Sequence, residues 1–246
     1  MKTIPEVVIA LTQIIETAQK EKSAAGYFAC LYRKMTVAVQ QGIQNNLFED
    51  GKRMEQLDIF FASRYLDAYA LMRAGKMPSQ AWNLAFEAAK KNEATVLQDL
   101  LMGINAHINL DLGIAAAQTC PSDAIHGIKN DFDKINQVIA NIVGEVQNEL
   151  AQIWFPLKFI NKIAYKSEDA VINFSIGIAR KSAWQVATDL AAMPVTSHPN
   201  YINQLDKRVT FLGKTIASPG MKDTILCKMI KLFELSDVEK VIEILK

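Results

Sequence analysis

The sequence predicts an all-α fold: one large bundle of about nine to eleven helices around a buried central helix that carries His107. Three observations predict it. Apolar residues recur with the helical period along nearly the whole chain. There is no Asn-Gly hairpin turn and little alternation of β-branched residues. Glycine and proline are sparse and fall mostly at breaks. At 246 residues, half of them hydrophobic, the chain suits a single all-helical domain, 1–246, with a substantial core.

The first helix is expected from Pro5 to about Glu21, because proline's missing N–H has no partner in a first turn anyway. Val7, Val8, Leu11, Ile14, Ile15 and Ala18 form its apolar face. A second runs from about Ser23 to Asn45, with Phe28, Leu31, Tyr32, Met35 and Val39 inward. A loop through Gly51 leads to a third, from about Met54 to Arg73, stopped by Gly75 and Pro78. Ser79 can cap a fourth helix through Lys90, and Asn92 a fifth that continues to about Ala117. After the Cys120-Pro-Ser-Asp break, Asp131 to Gln152 reads as a helix with Ile135, Val138, Ile139, Ile142, Val143 and Val146 inside. Pro156 interrupts the next stretch. A helix from Ser167 to about Met193 closes at Pro194, and another follows His198-Pro199 to about Ala217. Ser218-Pro219-Gly220 is a turn. Ser236-Asp-Val-Glu239 has the capping-box pattern of a final short helix.

Charge excludes some functions. With 27 Lys and Arg against 26 Asp and Glu, the net charge of +1 provides no long-range field for nucleic acid or anionic lipid, so no nucleic-acid partner is expected. No uncharged apolar run reaches the roughly 18 residues of a spanning helix, so no membrane insertion is expected. The N-terminus lacks the shape of a signal peptide, and a cytoplasmic location is expected. Cys30, Cys120 and Cys227 are odd in number and widely spaced, which argues against a disulfide framework or a thiolate zinc site. Cys30 and Cys227 read as small buried hydrophobes. Nucleotide and nucleophile-elbow motifs are absent.

The chemistry concentrates between Leu100 and Ala115. On a helix, His107 and Asp111 are four apart and share a face, as do Asn105 and Asn109. At about 100° per residue the two pairs stand on opposite sides of an apolar rod. A surface helix would show one polar face, so this pattern points to a helix packed all round, whose polar groups need partners. Three readings follow: polar residues that only fix packing; a site where Asp111 orients His107 as a general base; or a divalent metal held by His107 and Asp111. The other histidines, His126 and His198, lie near turn residues, so a metal would need aspartates. In the third helix, Asp58 and Tyr65 share a face, and Arg64 and Asp67 are three apart. Buried charges must be paired, and Asp58, Arg64 or Asp67 is expected to meet the His107 helix. Trp82 and Phe86 read as core, and Arg180 and Trp184 as a cation–π pair.

Several stretches carry a family resemblance: Tyr27-Phe-Ala-Cys-Leu-Tyr-Arg33, Met54-Glu-Gln-Leu-Asp58, Phe61-Ala-Ser-Arg64-Tyr-Leu-Asp67-Ala-Tyr69, Asp131-Phe-Asp-Lys-Ile-Asn136, Ala179-Arg180-Lys-Ser-Ala-Trp184 and, most specifically, Asn105-x-His107-x-Asn109-x-Asp111. The chain resembles an uncharacterised bacterial family, domain of unknown function 5995, over about 23–195, with 196–246 as a helical extension. The resemblance implies a helical fold and a shared site but no established activity. His107-x-x-x-Asp111 also resembles part of the metal-ligand pattern of zinc-dependent phospholipase C and related nucleases, whose further histidines are absent here.

The resulting expectation is a pocket that takes a small molecule, hydrolase-like or simply ligand-binding. His107, Asp111, Arg64 and Asp67 are its candidate catalytic residues, and Asn105, Asn109, Asp58 and Tyr65 its candidate ligand contacts. The alternative is a non-catalytic scaffold.

Overall fold

The computed structural model describes residues 1–154, 176–218 and 221–246. Among these residues every regular element is helical and no strand occurs. In chain order they are α1 (Ile4–Glu21), α2 (Ala25–Gln44), α3 (Gly51–Arg73), α4 (Gln80–Lys91), α5 (Val96–Ile104), a π-helical segment (Asn105–Leu112) and α6 (Gly113–Thr119). A 3-10 helix (Ser122–Ile128) leads into α7 (Lys129–Ile153). Then come α8 (176–192), a 3-10 turn (Val195–Ser197), α9 (His198–Ala217), α10 (Met221–Phe233) and α11 (Val238–Leu245).

Several ends differ from the sequence reading, each for a capping reason. The third helix starts earlier because Asp50 caps it, accepting from the Arg53 N–H at 3.0 Å. Thr95, not Asn92, caps α5, through a reciprocal capping box with Gln98. Asn92 instead ends α4 in the left-handed conformation that asparagine tolerates. Asp237, not Ser236, caps the last helix. The helical extension expected over 196–246 includes a further helix, α10, ahead of it. The Pro156 break, the Ser167 helix start and the Pro219-Gly220 turn lie outside the described residues.

α5, the π segment and α6 run on without a break as one rod, Val96–Thr119. α2, α3, α4 and α9 pack on it, and α8 reaches it at Gly113. The expected central helix is therefore present. The rod is long and apolar enough to cross a membrane by length and composition, with Asp99 and Asp111 inside it; 78% of its apolar window is buried within the bundle.

Two glycines allow this crowding. A Cβ on Gly103 would lie 2.5 Å from the Phe28 ring, and one on Gly113 would lie 2.6 Å from the Ala183 carbonyl. On either side of the rod lie two apolar clusters. One gathers Leu11, Tyr27, Phe28, Tyr65, Trp82 and Leu110; the other gathers Met54, Leu57, Leu112, Ile128, Phe132 and Ala183. Cys30 and Cys120 are buried, while Cys227 is half-buried, less than expected.

Overpacking a filled core typically costs about 1–3 kcal/mol. Gly103→Ala is therefore expected to lower the unfolding free energy by that amount, read as a lower urea midpoint with an unchanged m-value. An unaltered midpoint would mean that Phe28 does not press on the rod.

Candidate functional site

The π segment places the polar residues of the rod. Asn105 points to α9, donating to the Val209 carbonyl at 2.9 Å, and accepts from Asn109 at 3.0 Å. His107 and Asp111 face the other way, towards α2, α3 and α4. The opposition expected from spacing is present, although the helix is of the wider π type, a form found often at functional sites.

Asp111 is 1% exposed, yet fully engaged. Oδ1 accepts from Arg64 Nε of α3 at 2.7 Å, and Oδ2 accepts from Trp82 Nε1 of α4, also at 2.7 Å. Arg64 thus meets the His107 helix, as anticipated, and pairs with Asp111 rather than Asp67. Asp67 is exposed: two positions beyond buried Tyr65 is about 200° around α3, the opposite face. Asp67 therefore lies away from the site, as do Asn105, which holds α9, and Asn109, which holds Asn105.

His107 is enclosed by aromatic rings. It stacks on Phe61 with centroids 3.5 Å apart, and meets Tyr32 edge-on at 4.2 Å and Phe28 at 5.4 Å. Neither ring nitrogen has a hydrogen-bond partner among the described residues. The Asp111 carboxylate stands 3.9 Å from Nδ1, an electrostatic contact longer than a hydrogen bond. Burial pushes the imidazole below its ordinary value and outweighs the upward pull of Asp111, so the ring is neutral at pH 7.

Beside His107 lies a cavity of about 270 Å³. It sits at the seam of the two apolar clusters, and its walls come from α2, α3, the rod, α7 and α8. Most of the lining is aliphatic or aromatic; Tyr32, Asp58, His107, Gln147 and Arg180 are the polar members. Leu97 and Leu101, both partly exposed, mark where the cavity approaches the surface. The Tyr32 hydroxyl and Asp58 Oδ2 are buried without a hydrogen-bond partner among the described residues. Burial pushes Asp58 up to about 7, with help from Glu55, and raises Tyr32 well above its ordinary range. Tyr65 is buried as well, and its unpartnered hydroxyl belongs to the aromatic cluster of Phe28, Tyr32 and Trp82 rather than to the cavity wall.

The sequence reading missed two features of this wall. Tyr32 looked like ordinary core, and only the tyrosine hydroxyl at an inward position could have flagged it. Arg180 lies over Phe132, 4.4 Å from the ring centroid, while Trp184 receives Lys129 instead. A divalent metal does not fit the donor set. Both Asp111 oxygens are occupied by N–H donors, and no group of three or more His, Cys, Asp or Glu among the described residues could hold an ion. His126 is exposed. His198 binds the Leu190 carbonyl through Nε2 at 2.9 Å, closing the corner between α8 and α9.

Fold and site together define an all-helical bundle whose central helix carries buried polar groups beside an internal apolar cavity. The chain matches the model of a family of unknown function, DUF5995, over residues 4–219, and belongs to that family. The match is wider than 23–195, taking in α1 and α9 and leaving α10 and α11 outside. No curated protein and no solved structure matches the chain.

Two outcomes are expected. Asp111→Ala strips the partner from a buried indole N–H and from a guanidinium, so urea unfolding should show a loss of about 3 kcal/mol. A loss below about 1 kcal/mol would mean that the bridge is not structural. Asp58 has the opposite logic. Its folded value, about 7, lies above the ordinary 3.8, so folding retains a proton that the unfolded chain releases. The stability this contributes is present below about pH 4 and is lost as pH rises through about 7. Asp58→Asn should therefore gain stability relative to wild type between pH 4 and pH 8; a difference independent of pH would contradict the raised value.

Proposed function

We propose that this protein binds a small, mainly apolar molecule in the cavity, with Tyr32, Asp58 and His107 meeting that molecule's polar group. One observation carries the reading: three buried polar side chains from three helices line a single apolar cavity, each with an atom left without a hydrogen-bond partner among the described residues. Ligand sites have this make-up, an apolar wall with a few placed polar groups, and begin at roughly 300 Å³. The available chemistry suits a neutral oxygen function. His107 is neutral and can accept or donate. Tyr32 and a protonated Asp58 can do the same.

Binding is better supported than hydrolysis. A general base needs an orienting partner at hydrogen-bond distance, and Asp111 stands too far off, with both oxygens engaged. The scaffold reading accounts well for Asp111, Arg64, Trp82 and Asn105, whose hydrogen bonds join helices, and for Asn109, which holds Asn105 in place. It gives no reason for the unsatisfied trio.

The test is titration with the neutral fluorophore N-phenyl-1-naphthylamine. Wild type should bind one equivalent saturably, and Val143→Trp, which fills the cavity from α7, should weaken binding at least tenfold. Absence of saturable binding, or equal binding by a folded Val143→Trp, would remove the cavity as a ligand site.

A further inference from the structure

Arg180 lines the same cavity from α8 and takes no part in the polar trio. It is 5% exposed, a position at which a charge normally has a counter-ion. Here one Nη donates to the Phe132 carbonyl, the guanidinium lies over the Phe132 ring, and among the described residues Nε has no hydrogen-bond partner. Among the described residues no carboxylate lies within ion-pair distance of it. The acidic group nearest in effect is Asp133, and Lys129 engages that carboxylate on the exposed side of α7. Burial lowers Arg180 to about 10, which leaves it cationic at neutral pH. A carbonyl dipole and a ring face compensate a buried cation only in part.

We propose that Arg180 is the headgroup anchor of the cavity and that the ligand is an amphipathic monocarboxylic acid, its carboxylate on the guanidinium and its chain along the apolar wall. The inference rests on the cavity-binding reading above. A guanidinium matches a carboxylate in geometry and in charge. Among the described lining residues Arg180 is the one cation, and it balances a single negative charge. A phosphate dianion would leave a second charge buried, on a wall that already holds Asp58. The unsatisfied hydroxyl, carboxyl and imidazole of Tyr32, Asp58 and His107 then provide a second contact, for an oxygen carried elsewhere on the chain.

The experiment compares decanoate with 1-decanol, equal in chain length and different in headgroup charge, by displacement of the fluorophore from the full-length protein. Wild type should bind decanoate at least tenfold more tightly than the alcohol. Arg180→Gln should weaken decanoate at least tenfold and change the alcohol less than twofold. The wild-type comparison stands without the variant, and thermal unfolding checks that Arg180→Gln is folded. Equal affinity of wild type for acid and alcohol, or a preference retained in folded Arg180→Gln, would overturn the headgroup role and leave the cavity reading intact. Failure of both ligands to displace a fluorophore that does bind would likewise overturn the amphiphile assignment alone; failure of the fluorophore to bind as well would overturn both.

Discussion

The carboxylate of Asp111 fixes the rotation of the central rod, and the rest of the interior is arranged around that rotation. A carboxylate at 1% exposure is tolerated only if its oxygens are met by donors. Arg64 and Trp82 meet them from two different helices. Because both donors are anchored in helices, the rod cannot turn without stranding a charge. Once Asp111 faces α3 and α4, His107 one turn earlier must face the aromatic side, and Asn105 must face α9. Gly103 and Gly113 let the neighbouring helices come close enough to enforce this arrangement.

The same device recurs at the edges of the bundle. Carboxylates from distant helices take the free N–H groups at helix starts, the unsatisfied donors of every helix. Asp206 of α9 accepts from Gln80 and Ala81 at the head of α4, at 2.7 and 2.9 Å. Asp131 of α7 accepts from Glu49 and Asp50 ahead of α3, at 2.8 Å each. Glu234 at the end of α10 accepts from Val96 at the start of α5. These contacts bear on the centre, since Asp206 holds the two residues just before Trp82 and so helps to keep its indole on Asp111. Hydrogen bonds from backbone N–H groups and the Lys134 ammonium outweigh burial at Asp131 and hold its carboxyl below the ordinary range.

Helix existence and the polar rod were legible in the sequence because both depend on periodicity, a local property. The opposition of Asn105 and Asn109 to His107 and Asp111 follows from angular arithmetic and holds through the π geometry. Arg64 as a partner of the rod followed from the need to pair a charge among apolar residues. Which acidic group Arg64 would choose was not legible, because Asp67 is near in sequence and Asp111 near in space. Helix starts at Asp50, Thr95 and Asp237 were misplaced because Ser, Thr, Asn and Asp all cap, and the choice among neighbours depends on where the chain arrives. The cavity was beyond reach for a stronger reason. It is a property of how α2, α3, α7 and α8 fail to fill the space beside the rod, and no single segment encodes it.

Some buried polar groups of this protein are satisfied and some are not; of the unsatisfied ones, Tyr65, Asp99, Glu149, Trp154 and Glu234 lie away from the cavity. Asp111, Asn105, Asp131 and Asp206 have their hydrogen bonds met and join one helix to another. Tyr32, Asp58, His107 and Arg180 keep buried atoms unmet, and all four line one cavity. Each unmet buried donor or acceptor costs about 1–3 kcal/mol, against a total stability of about 5–15 kcal/mol for a domain. A core serving stability alone would be better off with phenylalanine in place of Tyr32, at almost equal volume, and with an apolar residue in place of Asp58. Groups that weaken the fold and converge on one space are those expected to act on something other than the fold, because stability is commonly given up where binding requires it. The satisfied groups explain how the rod is held; the four unsatisfied groups on the cavity wall are those the proposed ligand would meet.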